Sequence, residues 1–236
     1  VFRPHPGPSS PPSSRTLYFP YMHDGAYLVA AAARSVGIPS EVLPKQTDED
    51  IALGRKYTSS KECFPMICTT GSFLKKLFEP GADPSKISFF MPDHNGPCRF
   101  GQYNHFQRVL FDRLGFGDAT IMTPSNDTSY ADLAGDKSQQ FRINAWKGFV
   151  SFDFLRKLYR ERKPYEKSRG KPQKHNETSL RKIERCIESG SKGLRRLLVE
   201  ITSDFMALNV DKSKRRPVVA VLGEIYMRDN AGCNGN

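Results

Sequence analysis

Cys63, Cys68, Cys98, Cys186 and Cys233 carry the most specific chemistry in this 236-residue chain. Their number is odd and no secretory feature accompanies them, which argues against a disulfide framework and for a cytoplasmic setting. In a reducing compartment, cysteines outside the core act as metal ligands or reactive thiols, whereas a lone cysteine in an apolar helix packs as a small hydrophobe. Cys63 stands in Gly54-Arg55-Lys56 and Lys61-Glu62-Cys63-Phe64-Pro65, just before a helix start whose N–H groups favour a thiolate. Cys98 stands in Asn95-Gly96-Pro97-Cys98-Arg99-Phe100-Gly101-Gln102-Tyr103, where glycines let the backbone approach a bulky group and Arg99 offsets negative charge. Cys233 ends the run from Gly223-Glu224 through Tyr226, Arg228 and Asn230. Soft thiolates in such settings suit iron–sulfur clusters or zinc. Three ligands with one open position suit a reactive site better than a structural one. Cys68 reads either as a fourth ligand or as a small buried residue of the following helix, and Cys186, amid charged helical neighbours, reads as structural.

The elements that position these thiols follow from periodicity. Thr16–Pro20 reads as a short buried strand, Asp24 as the N-cap of a helix closed by Gly37, and Ile38–Leu43 as a second strand. Helical spacing over 64–78, a strand over 87–91, a helix over 103–114 and a strand over 119–123 continue the alternation. Nearly continuous apolar strands alternating with helices predict an α/β fold: an open parallel sheet with helices on both faces, Rossmann- or flavodoxin-like. Residues 144–216 read as a mostly helical insertion, broken by a polar stretch over 163–176, before a last buried strand at 217–222. In such a sheet the loops beyond the carboxyl ends of the strands share one crevice, where Cys63, Cys98 and Cys233 are expected to converge.

Charge is concentrated in one place. Residues 156–216 hold 19 Lys and Arg against 8 Asp and Glu, so the whole net charge of +11 lies there. A segment of this kind binds nucleic acid, grips cofactor phosphates, docks an acidic protein or forms a solvated helical face. No aromatic-rich RNA-binding signature accompanies it, which ranks nucleic acid last. Residues 1–15 hold five prolines and four serines and read as a disordered linker, with one α/β domain over 16–236. The stop just past Cys233 raises the expectation of a truncated C-terminal part. No apolar run is long enough to span a bilayer, and no Gly-rich phosphate loop is present.

The three cysteine strings resemble those of the 2-hydroxyacyl-CoA dehydratase and CoA-substrate-specific enzyme activase superfamily, above all the cysteine-containing activase-related domain, over most of 16–165 and 217–236. That resemblance implies Cys63, Cys98 and Cys233 as ligands of a [4Fe–4S] cluster, or of a double-cubane [8Fe–9S]-type cluster as in some relatives. It implies electron transfer at low potential, coupled to an ATP-hydrolysing activator domain or subunit and directed at an acyl-CoA substrate. On this reading the chain is a component of such a lyase or reductase system rather than a complete enzyme. Arg99 and Arg228 are then the cofactor-binding candidates, tuning a cluster or anchoring a phosphate. A zinc-stabilised binding module, and a nucleic-acid- or phospholigand-binding protein using the basic 156–216 segment, stand as alternatives. Among other polar residues, Asp93 with His94 and His23 with Asp24 invite an acid/base reading beside a capping one; His105 reads as a surface residue, and Trp146 as packing of the first inserted helix.

Overall fold

The computed structural model describes residues 14–59, 61–125, 127–213 and 215–233. Four strands, β1 (Thr16–Phe19), β2 (Ser40–Val42), β3 (Ile87–Phe90) and β4 (Thr120–Met122), form one sheet in the order β2-β1-β3-β4. Every pairing is parallel: Tyr18 lies opposite Glu41 on one side and Phe89 on the other, and Phe89 lies opposite Ile121. The chain steps outward from β1 to β2, then crosses back to β3 and β4. That reversal puts the connecting helices on opposite faces and makes the β1/β3 boundary the topological switch point of a flavodoxin-like order.

Side-chain alternation along the strands divides the core accordingly. Leu17 and Phe19 point into one layer with α1 (Ala26–Arg34), the long α6 (Ser138–Arg162), α7 (Lys171–Glu188) and α8 (Leu194–Met206). Ile87 and Phe89 point into the other, against α3 (Phe64–Leu77) and α4 (Tyr103–Arg113). Phe89 is fully buried there between Phe73, at 4.2 Å between ring centroids, and Phe111, at 5.6 Å. Each such side chain contributes about 1.5–3 kcal/mol by burial, and each ring pair on the order of 0.5–1.5 kcal/mol more. The α/β parallel-sheet expectation is thus met, with helices on both faces.

Several expectations are corrected. Residues 217–222 form no strand: they run without secondary structure, Val218 and Leu222 being 92% and 87% exposed. An apolar run becomes a strand only where a sheet edge accepts it, and among the described residues this run pairs with neither β2 nor β4. The basic helical segment therefore follows the last strand instead of preceding it. Helix α1 is capped by Gly25, while the Asp24 carboxylate accepts the Tyr21 hydroxyl at 2.8 Å. Trp146 is 70% exposed and does not pack α6. The break after α6 is shorter than expected, because Pro172 falls in the first turn of α7, where its missing N–H costs nothing. Residues 1–13 of the expected linker lie outside the described residues; Arg15, at its end, donates to the Asp118 carbonyl at 2.8 Å.

Sequence periodicity missed α2 (Asp48–Tyr57). Its start is a capping box in which the Thr47 N–H donates to Asp50 Oδ2 at 2.9 Å. It packs on α3 through glycine. A Cβ on Gly71 would lie 1.8 Å from the Asp50 carbonyl oxygen, and one on Gly54 would lie 2.0 Å from that of Ile67. We therefore expect Gly71→Ala to force α2 and α3 apart and to destabilise the chain by about 1–3 kcal/mol. A lower urea midpoint with an unchanged slope checks this.

Candidate functional site

Helix α3 runs from the carboxyl edge of the sheet back toward the start of β3, so its N-cap residue, Cys63, sits at the edge where β1 and β3 end. Pro65 in the first helical turn fixes that start without losing a hydrogen bond. Cys98 leaves the same edge on the loop after β3, as N-cap of a short 3-10 turn over Arg99–Gln102. That turn lies against the loop backbone: a Cβ on Gly101 would stand 2.1 Å from the His94 carbonyl oxygen, so only glycine fits. The Arg99 guanidinium donates to the Lys61 carbonyl at 3.0 Å and ties the Cys98 loop to the approach to Cys63. Between the two loops stands Tyr103, buried at the N-terminus of α4. Its hydroxyl is pushed well above the usual tyrosine range by burial first, then by a hydrogen bond with Cys63 and by the nearby Cys98 and Glu224.

Cys233 reaches this edge by a route that the sequence reading did not foresee. The expected strand before it is absent, and a five-residue helix, α9 (Ile225–Asp229), brings it in. Glu224 caps that helix, accepting from the N–H groups of Tyr226 and Met227 at 3.0 and 2.9 Å. The segment is locked by Asn230, which is fully buried. Its amide nitrogen donates to the Tyr21 carbonyl at 3.1 Å and to Gln46 Oε1 at 2.8 Å, and Gln46 Nε2 donates to the same carbonyl at 3.0 Å. Gly232 then passes so close to Gln46 that a Cβ would lie 2.4 Å from its carbonyl oxygen. On the outer side Arg156 of α6 pairs with Asp229 at 2.5 Å.

The chain thereby delivers the Cys233 sulfur to within 3.4 Å of the Cys68 sulfur, on the second turn of α3. Cys68 is fully buried and Cys233 partly exposed. The hydrogen bond between them acts oppositely on the two thiols, raising Cys68, whose burial adds to the effect, and lowering Cys233. Tyr226, buried beside both, is held neutral by that burial and by the two sulfurs. Of the two readings of Cys68, the structure bears out the buried residue of α3.

Two thiol pairs therefore stand at this edge, delivered by three separate segments: Cys63 and Cys98 beside Tyr103, and Cys68 and Cys233 beside Tyr226. Among the described residues, no group of three or more His, Cys, Asp or Glu side chains is set to hold a single metal ion. Thiolate sulfurs are the donors that iron–sulfur clusters and zinc have in common. The soft donor set is of the kind that such a cluster takes. Arg228 lies on the exposed side of α9.

The remaining candidates fall outside this group. Asp93 Oδ1 accepts the His94 N–H at 2.7 Å, a loop-capping contact. His23 Nδ1 accepts the Gly25 N–H at 2.9 Å while its ring stacks on Phe152, and burial pushes its pKa down. His105 is exposed. Cys186 on α7 contacts the Lys192 carbonyl at 3.4 Å, as suits a structural residue. A cavity of about 610 Å³ opens between α6 and α8, lined by Val150, Phe154, Leu198 and Lys147 and by none of the cysteines. No described helix is long and apolar enough to cross a membrane. No family model matches this chain, and no curated protein or solved structure matches it either.

Two outcomes follow for the docked C-terminal segment. Asn230→Ala leaves the Tyr21 carbonyl and Gln46 short of a partner at a cost of about 1–3 kcal/mol, read as faster amide exchange over 225–230. Asp229 is held below its usual 3.8, first by the hydrogen bond from Arg156. Its contribution is therefore complete above that value and is lost as pH falls through the lowered one. Amide protection of α9 should decline with acid in that range, and Asp229→Asn should flatten the decline.

Proposed function

We propose that this chain is an iron–sulfur electron-transfer domain of an acyl-CoA dehydratase or activase-like system. What supports the reading is the position of two thiol pairs, Cys63 with Cys98 and Cys68 with Cys233, at the carboxyl edge of a parallel sheet, the edge at which such folds bind ligands. Cys63, Cys98 and Cys233 are the residues that would hold a [4Fe–4S]-type cluster, with Cys68 buried behind Cys233. When bound, the cluster supplies a low-potential one-electron centre.

The chain's own residues provide the setting. Tyr103 and Tyr226 place buried aromatic rings beside the thiols and exclude water. Exclusion of water and hydrogen bonds to the sulfurs are the means by which a protein sets a cluster's potential. Arg99 fixes the distance between the Cys63 and Cys98 loops through Lys61, and its exposed charge, with that of Arg228, suits the phosphates of an acyl-CoA. An ATP-hydrolysing activator, on this reading a separate domain or subunit, supplies the electron at the exposed Cys98 side.

Anaerobic purification tests the reading directly. The expected product is a brown chain containing iron and acid-labile sulfide, whose colour is lost in Cys98→Ala while the far-ultraviolet circular dichroism stays the same. A colourless chain carrying stoichiometric zinc on the same cysteines would falsify it in favour of a zinc-stabilised module.

A further inference from the structure

We propose that Cys68 and Cys233 form a thiol–disulfide exchange couple that reacts with low-molecular-weight disulfides, Cys233 as the entry thiol and Cys68 as the resolving thiol. This inference uses the two thiols alone and does not rest on iron binding.

Geometry carries the argument. Their sulfurs lie 3.4 Å apart although 165 positions separate them in the chain. Bond formation needs an approach from there to about 2.05 Å, which is favoured where both backbones are already fixed in place. Both are. Cys68 sits within α3, where its carbonyl accepts the Ser72 hydroxyl at 3.1 Å. Cys233 follows a clamp in which the Gly232 N–H donates to Asn230 Oδ1 at 3.0 Å and the Cys233 N–H donates to the Asn230 carbonyl at 3.1 Å. Exposure assigns the order of events. A small disulfide can reach the partly exposed Cys233, but the fully buried Cys68 is accessible only to Cys233 itself.

The chemistry balances in two displacements. The Cys233 thiolate attacks one sulfur of the small disulfide, forming a mixed disulfide and releasing one thiolate. Cys68 gives up its proton and attacks Cys233 Sγ, releasing the second thiolate. Two protein thiols are oxidised to one disulfide, one small disulfide is reduced to two thiols, and the two protons leave with those thiols. The product bolts the C-terminal segment to α3.

The iron-free full chain, treated with glutathione disulfide and digested without reductant, tests the proposal by mass spectrometry. The expected result is one linkage joining the Cys68 and Cys233 peptides, loss of two free thiols per chain, and full reversal by dithiothreitol. Cys68→Ser should stop at a glutathione adduct on Cys233, Cys233→Ser should leave Cys68 free, and Cys186→Ser should behave as the parent chain. Circular dichroism of each variant confirms folding, and an unfolded variant is replaced by the parent chain alkylated under native conditions, where Cys233 should be labelled and Cys68 spared. Separate glutathione adducts on both cysteines, or a linkage of Cys233 to Cys63 or Cys98, would overturn the assignment. Failure of the iron and sulfide analysis leaves these outcomes unchanged, so the two readings fail independently.

Discussion

The site depends on one buried amide. Asn230 has no apolar contribution to make at the edge of the sheet, and burying its amide without partners would cost more than any packing there returns. Its partners exist because β1 ends at Phe19, which leaves the Tyr21 carbonyl beyond the ladder, and because Gln46 stands just past β2 with its own amide aimed at the same oxygen. Two side-chain amides and one main-chain carbonyl thus satisfy one another in a closed group. A segment that lies more than 180 positions from Gln46 in sequence is pinned to the sheet by this group, and Cys233 is carried with it.

The alternation of strands and helices was legible because both periods appear plainly in Leu17, Phe19 and Phe89 for the sheet and in Phe73, Leu74 and Leu77 for α3. Helix α2 was not, because it has almost no apolar stripe. Its packing rests on the backbone contact at Gly54 and Gly71, and only Thr47 and Asp50 announce its start. The run 217–222 misled for the complementary reason: Val218 through Leu222 have strand composition, but pairing is a property of the neighbour and not of the run. At the site, the motifs around Cys63 and Cys98 could be read locally. The contact between Cys68 and Cys233 could not, since nothing in the spelling of Gln46, Tyr21 or Asn230 reveals that they meet.

The basic segment also looks different once folded. Part of its charge serves the helical layer on one face of the sheet. Arg34 of α1 reaches Glu184 and Glu188 of α7 at 3.0 and 3.1 Å, Lys182 of α7 reaches Glu200 of α8 at 2.8 Å, and Arg156 holds Asp229. These pairs span helices, so they orient α7 and α8 rather than add much stability at partly exposed positions. The Arg156 pair further links the basic layer to the cysteine edge, giving α6 a hold on the segment that carries Cys233.

Cys233 stands at the meeting of the two proposed chemistries. A sulfur committed to a disulfide has no thiolate to give to iron, and a sulfur bonded to iron is shielded from attack by a small disulfide. The same 3.4 Å contact that keeps Cys68 behind Cys233 therefore sets one sulfur against two fates. On the two proposals together, the supply of iron and of disulfide around the chain would decide which reaction Cys233 enters. Asn230, Gln46 and the glycine contact at Gly232 hold the backbone that carries Cys233 to that contact.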